Sequence, residues 1–157
     1  MIRPATAADA PGIAAIWTPV IRDTTITFNP VLKSEAEIAA LTEGADPFLV
    51  WEEAGQILGF ARYFQFRGGL GYLHTVEHTI LLHPGGQGRG GGRALMVALC
   101  DRARAAGKHS MFAGVSVENV AGLAFHAAIG FDTVARLPEV GFKFGRWIDL
   151  VLMQNRL

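Results

Sequence analysis

The sequence predicts an α/β (α+β) chain with a central mixed, mostly antiparallel β-sheet of about seven strands flanked by about four helices. Three extended segments follow one another across residues 48–83 with turn signals between them, which reads as an antiparallel meander. The order then changes to glycine loop, helix, strand, helix, and that crossover demands a mixed sheet covered by helices. The chain has 157 residues, half of them apolar and 18% charged. That suits one well-buried core and a single domain over 1–157.

Taken in chain order, Ile2-Arg3-Pro4 forms a short first strand. Thr6 and Asp9 resemble a capping box opening a helix, in which Ile13, Ile16, Trp17, Val20 and Ile21 keep helical spacing. Pro19 should kink that helix or end it early. The segment 24–28 is an extended loop. Ser34 and Glu37 form a second capping box, followed by a short helix with Ile38 and Leu41 inward. Strands then run over 48–51 and 57–65, joined at the turn 53–55. Gly68-Gly69 reverses the chain, and a long strand covers 72–83 up to Pro84. Gly90 to Ala106 is helical through Leu95, Leu99 and Ala103, and Gly107 stops it. Residues 110–117 form a strand. Asn119 N-caps a helix to Ile129, with Gly130 at its C-terminal stop. Strands over 131–137 and 142–153 finish the chain, turning between Pro138 and Gly141.

Charge and composition exclude several function classes. Lys plus Arg and Asp plus Glu both number 14, and the pI is near 7.0. No basic stripe offers counterion release to a phosphate backbone, so no nucleic acid is expected as partner. Polar residues interrupt every apolar run before the roughly 18 needed to span a bilayer, so no membrane is expected. The N-terminus has no apolar signal segment. Cys100 is the one cysteine; among Leu95, Met96, Val97 and Leu99 it reads as a buried structural thiol. A reducing cytoplasm is the expected location. No residue is assigned to a metal.

Gly85, Gly86, Gly88, Gly90, Gly91 and Gly92 fall between a long apolar strand and a helix. Such a loop exposes successive backbone N–H groups at the positive end of a helix, which suits a pyrophosphate. A P-loop would need Gly-Lys-Ser/Thr, but Gly92 is followed by Arg93-Ala94. A dinucleotide fingerprint can be drawn through Gly86, Gly88 and Gly91, with Glu118 downstream, yet that motif belongs at the start of a parallel sheet rather than after a meander.

Gln87-Gly88-Arg89-Gly90-Gly91-Gly92 resembles the coenzyme A loop, Q/R-x-x-G-x-G/A, of the GNAT N-acetyltransferases. Asn119, the helix after it and Gly130-Phe131 resemble the next signature of that family. Further segments resemble its phosphinothricin and methionine sulfoximine acetyltransferases: Thr24 to Phe28; Phe66-Arg67 with Tyr72; Thr75-Val76-Glu77; and the tail Gly141 to Asp149, similar to G-x-K-x-G-x-W-x-D. The resemblance covers nearly the whole chain.

The resemblance implies the GNAT fold, with a splayed strand pair at the cofactor site and a bulge in the strand before the loop. It implies acetyl-CoA as co-substrate and transfer of acetyl to the α-amino group of a small amino-acid-like acceptor, without a covalent acyl-enzyme. Leu81, Leu82 and His83 would line the pantetheine arm, and Gln87, Gly88, Arg89, Gly90, Gly91, Gly92, Arg93 and Ala94 the pyrophosphate. Asn119 would contact the cofactor as well as capping its helix. Glu77 would take the amine's proton. His126 would be the companion group, standing where relatives carry a Tyr that donates to the departing thiolate. The N–H near Leu82 is a candidate oxyanion donor. Phe28, Arg67, Tyr72, Thr75, Val76, Lys143 and Arg146 would surround the acceptor, and relatives imply a homodimer. Gly69 and Leu73 stand where Arg is usual in F-R-x-R-x-A-Y-R, Asn29 replaces an acidic residue, and Thr18 stands where Asn is usual. An acetyltransferase for a different amine, or a non-catalytic acetyl-CoA-binding domain, are the competing readings.

Overall fold

A computed structural model describes all 157 residues. The strands are β1 (Ile2–Pro4), β2 (Phe48–Glu53), β3 (Gln56–Gln65), β4 (Thr75–Leu82), β5 (Ser110–Ser116), β6 (Asp132–Lys143) and β7 (Arg146–Arg156). The helices are α1 (Ala10–Asp23), α2 (Glu35–Thr42), α3 (Gly91–Ala105) and α4 (Val120–Ala128). All seven strands lie in one sheet, in the order β1-β2-β3-β4-β5-β7-β6. Only β4 and β5 run parallel, because α3 carries the chain back between them. The expected mixed sheet with four helices is the one observed.

Strand alternation sorts the apolar residues onto two faces. On β2, Leu49 and Trp51 join Leu95, Met96 and Leu99 of α3 in a core of 17 buried residues. Phe48 and Val50 point the other way, to Ile13, Ile16, Trp17 and Ile21 of α1 and Ile38 of α2, in a core of 10. Cys100 is buried in the larger core, as its neighbours predict.

The helix ends follow their signals. Ser34 Oγ accepts from Glu37 N at 3.1 Å while Glu37 Oε2 accepts from Ser34 N at 3.0 Å, the reciprocal capping box. Gly107, at φ +75°, ends α3: its N–H and that of Lys108 return to the carbonyls of Arg104 and Ala103.

Three boundaries differ from expectation. Pro19 does not end α1, which runs on to Asp23. Pro19 and Ala15, whose carbonyl loses its helical partner, are both exposed, so water can serve that carbonyl while Trp17 and Ile21 stay packed. The long fourth strand starts at Thr75 rather than Tyr72, because Leu70–Tyr72 close a 3₁₀ turn. The last hairpin turns at Phe144-Gly145, both at positive φ, rather than at 138–141. Pro138 and Gly141 lie inside β6, where the register with β7 shifts between Leu137 and Gly141. A proline is tolerated there because β6 is the edge strand and the shift releases it from the ladder.

β4 also carries no bulge: it pairs with β3 in unbroken register from Val76 to Leu82. Its splay comes from β5, whose pairing with β4 stops at His78↔Ala113 while β5 continues along β7 to Ser116. Beyond His78 the facing edges of β4 and β5 are open to each other.

Candidate active site

The glycine loop closes one end of that opening. His83 N donates to Leu58 O on the β3 side. Alternation therefore turns the N–H groups of Ile80 and Leu82 toward the gap left by β5. After the short turn 84–86, Gly88 (φ +72°) and Gly90 (φ +81°) adopt left-handed conformations, which glycine alone takes without strain. The amides of Gln87 and Ala94 are engaged, by Pro84 O and Gly90 O. The six between them, 88–93, donate to no protein acceptor, so the free amides of the predicted run end at Arg93 rather than Ala94. Gly91 also serves packing: a Cβ there would lie 2.2 Å from the Trp51 ring. The adjoining groove, about 260 Å³, is lined by Leu82, Gly88, Gly90, Gly92, Arg93 and Phe125 among others.

The other loop residues divide. Arg89 turns back to pair with Glu53 and lies 5.5 Å from the Trp51 ring, so it leaves the loop's charge to the amides. Gln87 is exposed. His83 Nδ1 accepts from Gly85 N at 3.0 Å and steadies the turn. Asn119 caps α4, its Oδ1 accepting from Gly122 N at 2.9 Å, and its amide nitrogen is left over. The groove, the left-handed glycines and the open amides fit a pyrophosphate-bearing ligand whose arm runs along the β4 edge.

The second cavity, about 410 Å³, lies further along the same opening, a size suited to a small molecule. It is lined by Glu77, His78, Thr79, Leu81, Gly114, Asn119 and His126 from the sheet and α4, and by Phe28 from the 24–28 loop. Glu77 is half-buried and makes no hydrogen bond or ion pair; burial pushes its pKa up from the ordinary glutamate value. A carboxylate shifted toward neutrality is better matched to taking a proton near neutral pH.

His126 faces the cleft through a buried pair. Gly122 O can only accept, so His126 Nδ1, 2.7 Å away, carries the proton. His126 Nε2 must then accept from His78 Nε2, at 3.1 Å. Burial lowers the pKa of both rings, that of His78 to about 3, so both are neutral. His126 thus has no free N–H for a thiolate: a proton that moves at its Nε2 is exchanged with His78. His78 went unnoticed in the sequence because nothing in the spacing of 78 and 126 announces a contact. Its Nδ1 is buried without a partner.

The expected acceptor cations are mostly committed elsewhere. Lys143 is buried and donates to Thr24 O at 2.6 Å and Thr27 O at 2.7 Å. It fastens the 24–28 loop rather than offering a free charge, and Phe28 packs where Gly141 has no side chain. Arg146 Nη2 donates to Glu118 Oε1 at 2.8 Å, and Thr25 shares that carboxylate. Arg67 lies over the exposed Tyr72 ring at 5.6 Å, in a cluster with Phe66 outside the cavity. Thr75 is on the Glu77 side of β4. Val76 is on the other face, 1% exposed within the larger core, so its side chain cannot touch an acceptor. Two cations that line the cavity, Arg62 and Lys33, were not singled out in the sequence. They sit outside every motif: the β3–β4 register puts Arg62 on the Glu77 face, and Lys33 reaches the cavity from the connection between α1 and α2.

A splayed parallel pair ending in free amides, beside a half-buried carboxylate, fits a transferase that draws a group from a pyrophosphate-bearing carrier. The acetyltransferase (GNAT) family matches residues 17–131. The L-amino acid N-acyltransferase MnaT of Escherichia coli (strain K12) is 42% identical over 99% of this chain and 93% of its own length. The L-methionine sulfoximine/L-methionine sulfone acetyltransferase of Salmonella typhimurium is 39% identical over 99% and 94%. A Salmonella typhimurium acetyltransferase solved with its cofactor acetyl-CoA superposes with TM-score 0.95 at 38% identity, covering 100% of this chain and 93% of that one. A Sinorhizobium meliloti phosphinothricin acetyltransferase in complex with acetyl-CoA superposes with TM-score 0.91 at 33% identity, covering 100% and 88%. The chain belongs to the GNAT acetyltransferase family, and its chemistry is N-acyl transfer with acetyl-CoA as co-substrate.

Proposed function

We propose that the chain acetylates the α-amino group of a small amino-acid-like acceptor, with methionine sulfoximine, methionine sulfone and phosphinothricin as its reference substrates. The observation that carries this is the unpaired, half-buried Glu77 in a cavity that ends at Leu81, next to the Leu82 that lines the glycine-loop groove. Acetyl-CoA supplies the acetyl thioester. The 88–93 amides hold the pyrophosphate, and Leu81, Leu82 and His83 flank the pantetheine arm. Glu77 accepts the proton that the amine must lose before its nitrogen can attack. Leu82 N–H, turned into the gap, is the donor for the oxygen on which charge develops. His126, backed by His78, is the companion group. Phe28 shapes the acceptor cavity, and Thr75 flanks it. Lys143 and Arg146 hold its wall.

Arg67 and Tyr72 lie outside the cavity of one chain, and the homodimer is part of the same proposal. Val140 and Phe142 on edge strand β6, Phe144 in its turn and Trp147 at the start of β7 are all more than half exposed, a face that a second copy would cover. No helix is long and apolar enough to cross a membrane. A cytoplasmic setting suits the lone buried thiol.

The test is thiol release from acetyl-CoA with an amine panel headed by phosphinothricin and the two methionine derivatives. Rapid release with any of these supports the reading. Release only with other amines keeps the chemistry and overturns the acceptor. Binding of acetyl-CoA with no release from any amine overturns catalysis.

A further inference from the structure

The acceptor cavity holds more positive charge than proton removal from an amine requires. Its ionisable side chains are Glu77, Arg62, Lys33 and the neutral pair His78 and His126. Arg62 is directly opposite Thr79 across the β3–β4 ladder, and Phe64 is opposite Glu77. Opposite residues share a face, so all four project to the same side, and Arg62 and Glu77 are diagonal neighbours roughly 7–8 Å apart, with their Cβ atoms somewhat closer. Neither takes part in an ion pair.

Aromatic rings hold the two cations without satisfying them. The Arg62 guanidinium lies 5.1 Å from the Phe64 ring and 5.9 Å from that of Phe48. Lys33 Nζ lies 5.1 Å from the Trp17 ring. Such contacts steady a cation but accept none of its N–H bonds. Arg62 carries five donors and makes no hydrogen bond. Asp46, the acidic group that opposes the effect of burial on it, is beyond ion-pair distance. A partly desolvated guanidinium without an acceptor is unfavourable unless a ligand supplies one. Lys143 and Arg146 are already bonded, and Arg67 lies outside the cavity, so none of them is that receptor.

We propose that Arg62, with Lys33 lining the same cavity, is the receptor for the acceptor's carboxylate and so selects α-amino acids over other amines. The proposal rests on the amino-acid reading above. It places the acceptor's ammonium toward Glu77 and its carboxylate toward Arg62, matching the two ends of a zwitterion to the two unpaired charges of one sheet face.

The experiment compares L-methionine sulfone with its methyl ester, in the wild type and in Arg62→Gln. Losing hydrogen bonds to a charged group should raise KM for the free acid by roughly 10- to 100-fold. The KM for acetyl-CoA should stay unchanged, and the preference for acid over ester in kcat/KM should fall by the same factor. Arg62→Met keeps the stem between the rings and should behave alike, which separates loss of charge from loss of packing. An unchanged acid-over-ester preference in either variant overturns the proposal while leaving the acceptor class intact. A wild type that releases no thiol with acid or ester overturns the amino-acid reading, and the proposal with it.

Discussion

At the coenzyme end of the cleft, the six main-chain amides of 88–93 have no protein acceptor beside a groove, and Arg89 is tied back to Glu53. At the acceptor end the working parts are side chains: Glu77, Phe28, Arg62 and Lys33 project into the cavity from β3, β4 and the 24–34 connection. The first end depends on backbone conformation and tolerates variation in what the side chains carry. The second depends on which charges remain free after the fold has used the others. Binding of carrier and choice of acceptor are therefore separable by mutation.

The largest effect should come from Glu77→Gln, which removes the proposed base and little else. Turnover should fall by roughly 10²–10⁴ with acetyl-CoA affinity nearly unchanged, read by stopped thiol-release assays beside direct titration of the cofactor. Gly90→Val should strike the other end. Gly90 sits at φ +81° with open space around it, so a β-branched residue is strained there by about 1–3 kcal/mol. The 88–93 amides would be displaced, and KM for acetyl-CoA should rise about tenfold or more while acceptor preference stays the same. Lys143→Met should free the 24–28 loop by removing the donor to Thr24 O and Thr27 O. Acceptor KM should rise by roughly tenfold, since the two lost charged hydrogen bonds hold the loop rather than the acceptor and act on binding only in part. Stability should change little, because a desolvated ammonium goes with it.

The smallest effect is on stability and pH. Glu77 has its pKa raised in the folded state, so folding favours the protonated form. That contribution is present at low pH and is lost as pH rises through the raised value. At pH 7 the ionised Glu77 destabilises the fold, and Glu77→Gln should raise Tm by a few degrees or less, roughly 2–4 °C per kcal/mol. The gain should vanish below the ordinary glutamate value of 4.5. In the active enzyme kcat/KM should fall on the acid side with a midpoint above that value.

The contrast between the two ends also explains what could be read from the residues. A backbone site requires local chain geometry, and that leaves a mark: clustered glycines after a strand are visible without any tertiary knowledge. The capping box at Ser34 and the stop at Gly107 are legible for the same reason. What the loop's sequence did not show was packing: Gly91 is also small to clear Trp51, a partner some 40 positions away. Motif residues of the acceptor end were also visible, but their partners were not. Lys143 and Arg146 look like free cations until β6 and its turn bring them against Thr27 and Glu118. His78 and Arg62 carry no motif and become part of the site only through the β3–β4 register and the parting of β4 from β5. The hairpin turn at 144–145 was missed because Pro138 and Gly141 are strong turn signals wherever the strand is not an edge.

The most direct test of the separation is crossed kinetics on Gly90→Val and Lys143→Met, with KM measured for acetyl-CoA and for one amino-acid acceptor in each. Each variant should raise the KM of one substrate only: acetyl-CoA in the first and the acceptor in the second. If both constants rise together in both variants, the two ends form one coupled site and the separation is wrong.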